Sequence, residues 1–195
     1  MGKKLLILAA AMTFTFTVYS QTGTDPGPGE DTTAGMMSNP EMGPQAGPLL
    51  DSRQLQRQKW YYSIDEAMRE PEKVYKLSLS GKKLTEVPRE ISRMPNIQVL
   101  NLSQNRLKTL PPELADLTNL QVLNLASNKI KVLPDNFKSF EHLTSLYLAR
   151  NRLIEMPAWV GGFSKLRILD LALNNLTGYE IELVRNRLPR CNVTH

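Results

Sequence analysis

Residues 97–111 read IQVLNLSQNRLKTLP, and the pattern returns 23 residues later as LQVLNLASNKIKVLP (120–134) and again as LTSLYLARNRLIEMP (143–157). A looser copy, VYKLSLSGKKLTEVP, precedes them at 74–88. A last copy, LRILDLALNNL, follows at 166–176 without the proline. Five copies in one register define a fixed period. Apolar residues recur at its first, fourth, sixth and eleventh positions, and Asn stands at the ninth in four of the five. No single copy buries its own apolar face, so neighbours must stack into one continuous core.

The pattern dictates the local structure. Leu100 and Leu102, Leu123 and Leu125, Leu146 and Leu148, and Leu169 and Leu171 alternate with polar residues, so each pair marks a short strand pointing its leucines inward. The strands pair in parallel and form a concave face. Asn105, Asn128, Asn151 and Asn174 fall where the chain turns away from the strand. A side-chain amide donates and accepts, so a column of Asn suits buried backbone groups left without strand partners. Pro88, Pro111, Pro134 and Pro157 open the return limb at a φ compatible with a helical turn. The apolar pairs that follow, such as Leu114 with Leu117 and Phe137 with Phe140, are spaced i, i+3. They predict one short helix or 3₁₀ stretch per repeat.

These repeats resemble the 23-residue, Leu-Pro class of leucine-rich repeats, over roughly residues 74–195. The resemblance implies an α/β solenoid with a parallel concave sheet and short helical or 3₁₀ convex segments, capped by helices at both ends. It also implies a non-enzymatic protein-recognition scaffold. The whole chain resembles small exported bacterial proteins of this family.

The ends carry different information. Lys3 and Lys4, an apolar run from Leu5 to Val18, and Val18 and Ser20 before Gln21 read as a signal peptide over 1–20. That run is shorter than the ~20 residues a membrane helix needs. Stable membrane insertion after cleavage is therefore not expected, and the chain reads as periplasmic or extracellular. Residues 21–50, rich in Gly, Pro, Asp and Thr, read as a disordered linker. Residues 51–73 read as an N-terminal cap: Ser63 to Glu66 fit a capping box, and Trp60, Tyr61 and Tyr62 stand ready to plug the open end. Five repeats then occupy 74–177. Residues 178–195 read as a C-terminal cap with one helix stopped by Pro189 and a closing strand near Cys191 and Val193.

Net charge is +5, made of +2 in residues 1–20, −4 in 21–50 and +7 in 51–195. No concentrated basic run appears along the chain. The Lys and Arg residues, mixed with Glu and Asp, read as solvated surface, and no nucleic-acid partner is expected. Cys191 is the single cysteine, so no intrachain disulfide forms, and its apolar neighbours argue for a small packed residue. Two histidines are too few for a typical zinc set, and no phosphate loop or paired acid and base stands out. The chain therefore reads as a monomeric non-enzyme without cofactor or metal.

Its partner is expected on the concave face. The variable strand positions offer Asn101, Asn124, Tyr147 and Asp170, with Arg150 just past a strand and Arg167 just before one. Tyr and Arg are favoured interface anchors. Five strands at ~4.8 Å spacing give a face about 24 Å across. Its area, roughly 500 Å², is below the ~800 Å² per partner of a standard interface. A peptide or small protein patch is the expected ligand. The alternative is a glycan or cell-wall polymer, for which the face offers one aromatic, Tyr147.

Overall fold

A computed structural model describes residues 46–195. The expected signal peptide and most of the expected linker lie outside the described residues.

The repeat builds the predicted sheet. Strands β2 (Lys76–Ser78), β3 (Val99–Asn101), β4 (Val122–Asn124), β5 (Ser145–Tyr147) and β6 (Ile168–Asp170) are each three residues long and pair in parallel, in chain order. The register follows the period: Leu77 pairs with Leu100, then Leu123, Leu146 and Leu169. Strands on either side of the repeats extend the sheet. β1 (Trp60–Tyr61) adds to β2, and β7 (Asn192–Thr194) adds to β6, giving seven strands. The concave face is thus wider than the five repeats alone provide, at about 34 Å.

Behind the sheet the leucines form one core. Leu77, Leu100, Leu102, Leu123, Leu125, Leu148 and Leu169 are all fully buried. The return limbs are five-residue 3₁₀ turns at Arg89–Arg93, Pro112–Asp116, Asp135–Ser139 and Ala158–Gly162. In a 3₁₀ turn, residues three apart share a face. Phe137 and Phe140 therefore both point inward, with ring centroids 4.8 Å apart. The prolines stand one residue before these turns rather than at their first position. Each has ψ between 131 and 147°, extended backbone that proline's φ permits.

The asparagine column does what its chemistry predicts. Asn128 accepts from Leu107 N–H at 3.0 Å and donates to the carbonyls of Leu102 and Leu125 at 3.0 and 2.9 Å. Asn105, Asn151 and Asn174 repeat the arrangement. Each amide bridges its own repeat to the one before it. In the first repeat Lys82 stands at the ninth position, and there the chain takes left-handed backbone at Gly81 and again at Lys83.

Segments before and after the repeats pack on the outer layers of the core. Tyr61 and Ala67 are buried against the first layer, while Tyr62 stays exposed, so the aromatic trio is divided. Asp51 and Ser63 cap the short helices α1 (Ser52–Arg57) and α2 (Ile64–Ala67). At the far end Thr177 caps α3 (Gly178–Arg187), which buries Ile181 and Val184. No helix among the described residues is long and apolar enough to cross a membrane.

Candidate functional site

Because strand side chains alternate, the residues flanking each core leucine project from the concave face. One row holds Lys76, Val99, Val122, Ser145 and Ile168. The next holds Ser78, Asn101, Asn124, Tyr147 and Asp170, continued by Thr194. The two rows run across all five repeats, yet the face is not uniform.

Its N-terminal half is covered by the chain itself. Residues 47–50, the last of the stretch read as linker, lie along the rim where strands begin. Gly47 N–H donates to Asn96 Oδ1, and Asn119 Nδ2 donates to Gly47 O at 2.9 Å. Gln98 takes Leu50 N–H at 3.0 Å and donates to Pro48 O at 3.0 Å; Gln121 donates to Leu50 O at 2.8 Å. Helix α1 follows, and Lys76 Nζ donates to Gln56 O at 3.1 Å. These bonds tie the arm to the sheet on either side of Leu55, which is 4% exposed yet stands outside the inner core. In the row beneath, Lys76 is 6% exposed and Val122 8%; Ser145 on β5 is as closed as Val122, and the row opens only at Ile168, 37% exposed. Burial also pushes the Lys76 ammonium below the usual lysine range. Its charge is met by Gln56 O and by the Trp60 ring, 5.1 Å from Nζ to centroid.

The C-terminal half is open, and the six residues singled out from sequence are divided between the two halves, with Asn101 on β3 and Asn124 on β4 in the covered one. Asn101 and Asn124 turn their oxygens onto Ser103 N–H and Ala126 N–H, each at 3.0 Å. That is local turn bonding of the Asx kind. Asp170 does the same to Ala172 N–H at 3.2 Å and also accepts from Thr194 Oγ1 at 2.8 Å, tying β7 to the sheet. Tyr147 lies beside Asp170 in register and is half-buried. Burial pushes its hydroxyl above the usual tyrosine range, partly offset by a hydrogen bond with Ser145; the Asp170 charge pushes the same way as burial. Arg150 and Arg167 are exposed, but at opposite rims. Arg167 precedes β6 and Arg150 follows β5, so the two flank the sheet from its opposite edges along the strand direction. Arg167 bends back to the carbonyls of Ser164 and Leu166 at 3.3 and 3.2 Å.

Two apolar residues belong with this open half. Ile168 lies on the face, and Leu173 stands at its strand-exit rim, 67% exposed. Leu173 also has φ of 57°, a left-handed backbone that a branched, bulky residue rarely adopts. The repeat demands that conformation at its eighth position: Gln104, Ser127 and Arg150 share it at 56–57°. The period marks the position, but the exposed leucine signals contact only when its geometry is known.

Elsewhere, groups with chemical potential are quiet. Burial raises the Cys191 thiol to about 11, which keeps it protonated at neutral pH. His142 Nδ1 is 2.8 Å from Lys165 Nζ, and His195 Nδ1 is 3.0 Å from Arg185 Nη2. Among the described residues no three His, Cys, Asp or Glu side chains gather into a possible metal site.

Residues 74–188 match the family described as "Leucine-rich repeat region". No curated protein matches the chain. Among solved structures, a leucine-rich-repeat protein of Leptospira interrogans is similar at 30% identity and TM-score 0.63, over 71% of this chain and 35% of that one. Internalin C2 of Listeria monocytogenes is similar in fold at 23% identity and TM-score 0.53, over 64% of this chain and 51% of that one. A TLR13–ssRNA13 complex is similar in fold at 23% identity and TM-score 0.57, over 69% of this chain and 20% of that one. The chain thus spans about a third of the Leptospira protein and half of the internalin.

Proposed function

Since the chain belongs to the leucine-rich-repeat family, we propose that it is an exported, non-enzymatic interaction module that binds a protein or peptide on the open C-terminal half of its concave face. The observation that carries this reading is the arm. In the chain's own structure the N-terminal half of the face already holds a peptide segment, with Gln98 and Gln121 taking both the N–H and the C=O of Leu50. A face that holds one segment through side chains of successive repeats is suited to hold another beside it. The open half supplies Tyr147, Ile168 and Leu173 as apolar contacts, with Arg150 and Arg167 at the two rims. Buried aromatic and aliphatic centres ringed by polar groups are the usual composition of such interfaces.

Asp170 serves this reading as a positioning residue, because its carboxylate is committed to Thr194 and Ala172. Asn101 and Asn124 contribute turn geometry first and surface second. Export rests on residues 1–20, with cleavage before Gln21 and the chain beyond it as a monomer of cap, five repeats and cap.

The test compares the chain from residue 21 onward with a variant carrying Arg150→Glu and Leu173→Asn, both immobilised and exposed to envelope and medium extracts. A protein retained by the first and lost by the second supports the reading. Equal retention removes the open half as the site. Glycan retained without protein transfers the face to cell-wall binding. For export, the N-terminus of material recovered outside the cytoplasm should be Gln21; an intact Met1 there would refute cleavage.

A further inference from the structure

The flank where the strands exit carries a surface the concave face does not use. The tenth position of four successive repeats holds Lys83, Arg106, Lys129 and Arg152. Scattered along the chain, they are one period apart, so stacking puts them in one column. The backbone holds that column in register. Arg106 N–H donates to Leu84 O at 2.7 Å, and Lys129 and Arg152 N–H donate to Leu107 O and Ile130 O at 2.8 Å. Adjacent cations are therefore carried at about the strand spacing, ~4.8 Å at the backbone. Two residues further on, Lys108 and Lys131 form a second, shorter row.

All six side chains are exposed. The ion pairs among the described residues are Lys59–Glu66 and Lys73–Glu70, both in the N-terminal cap. None of the six cations meets a carboxylate there, and none of their side chains makes a hydrogen bond among the described residues. Like charges stacked this closely repel one another, and the fold places no acid between them. Lys108, Lys129, Lys131 and Arg152 also line a groove of about 550 Å³ whose apolar wall includes Leu110 and Val132; Val132 is 56% exposed.

We propose that this flank binds a linear acidic polysaccharide running along the solenoid axis, its carboxylate or sulfate groups meeting the column and its sugar rings lying on Val132. The ligand must bring closely recurring charges to match a cation on every repeat. Single-stranded nucleic acid fits less well, because platforms that hold it stack bases on aromatic side chains and none lines this groove. An extended peptide also fits less well. The backbone N–H groups of Arg106, Lys129 and Arg152 are already bonded to the preceding repeat, so strand addition finds no main-chain partners there. The site is separate from the concave face, and the inference does not rest on the protein-binding reading.

The test uses the whole chain and fluorescence anisotropy with labelled polygalacturonate and dextran sulfate oligomers. Neutral dextran, polyglutamate and single-stranded oligothymidylate serve as comparisons. The acidic polysaccharides are expected to bind most tightly, with affinity falling linearly in log–log against salt. Lys129→Glu with Arg152→Glu should weaken binding by about tenfold or more, since two stacked contacts become repulsive. Arg93→Glu with Lys138→Glu makes the same change of net charge on the convex side and should shift affinity by less than about twofold. Should charge reversal disturb folding, Lys129→Gln with Arg152→Gln carries the comparison at smaller amplitude. Equal losses in column and convex variants, or no binding to either acidic polysaccharide, would overturn the proposal. Tighter binding of oligothymidylate or polyglutamate would overturn the ligand class.

Discussion

The two halves of the concave face are built from the same repeat and meet different fates. Over β2 to β4 the arm of residues 47–57 lies on the sheet, and Val122 is closed to solvent. On β5 the same sheet row is still closed at Ser145; on β6 it shows Ile168, and Leu173 stands out at the rim. Nothing in the leucine pattern distinguishes the halves, because that pattern governs the buried side of the sheet. The difference comes from Gln98 and Gln121, which stand one residue before their strands and bond the arm. The equivalent positions in the next two repeats, Thr144 and Arg167, bond nearby backbone instead. One repeat therefore yields a self-occupied surface and a free one through a few variable positions, with Asn96, Asn119 and Lys76 adding to the two glutamines.

Breaking the part the halves share should have the largest effect. Asn128→Ala leaves Leu107 N–H unpaired and takes one of two amide donors from the carbonyls of Leu102 and Leu125. A loss of about 3 kcal/mol is expected in denaturant unfolding. Asn124→Ala, four residues away but facing out with one turn bond, should cost less than about 1 kcal/mol. Similar losses from the two would show that the column is not what joins the repeats.

Removing the difference between the halves comes next. Leu55→Ala should cost about 2 kcal/mol and loosen the arm, so that the N-terminal half begins to bind a hydrophobic dye. A stable variant with no gain in dye binding would mean the arm does not cover that surface.

Alkaline pH should separate the halves by sign. On the covered side the Lys76 ammonium is lowered by burial, so the folded state holds fewer protons just below the ordinary lysine value of 10.5. Its contribution to stability rises with pH through that window, and Lys76→Met should remove the rise. At the open end Cys191 is raised from 9.0 to about 11, so the unfolded thiol ionises first. Stability is complete below pH 9 and is lost as pH climbs to about 11, and Cys191→Ala should flatten that fall. Tyr147, raised above 10.0, acts in the same direction at higher pH. Urea midpoints measured from pH 8 to 11 would check both signs.

The smallest effect on stability is the sharpest on function. Leu173→Asn places a residue tolerant of left-handed backbone where an exposed leucine now stands. Unfolding stability should be unchanged or higher by up to about 1 kcal/mol, while partner retention falls. A destabilised protein would make Leu173 a structural residue and withdraw it from the binding face.

Much of the molecule was legible before any coordinates. The spacing of Leu100, Leu102 and Asn105 set strand, core and turn, because burial and backbone hydrogen bonding leave a 23-residue repeat few other arrangements. The closing strand expected near Cys191 and Val193 is β7, and Cys191 stands one residue before it. The candidate site was legible only as a face. Asn101 and Asn124 look like free polar groups until their oxygens are seen on Ser103 and Ala126. Asp170 looks like a contact until Thr194 arrives from 24 residues away. The cationic column was in plain view as four residues 23 apart, yet it reads as scattered surface unless the period is applied to polar positions as well as apolar ones.

The sequence by itself thus determined the solenoid, since local alternation and a fixed period act through short-range sterics and the burial of leucines. Tertiary structure alone decided which surface is free. That depends on where a distant arm comes to rest, which carboxylates and amides find remote partners, and which like charges the stacking of repeats brings side by side.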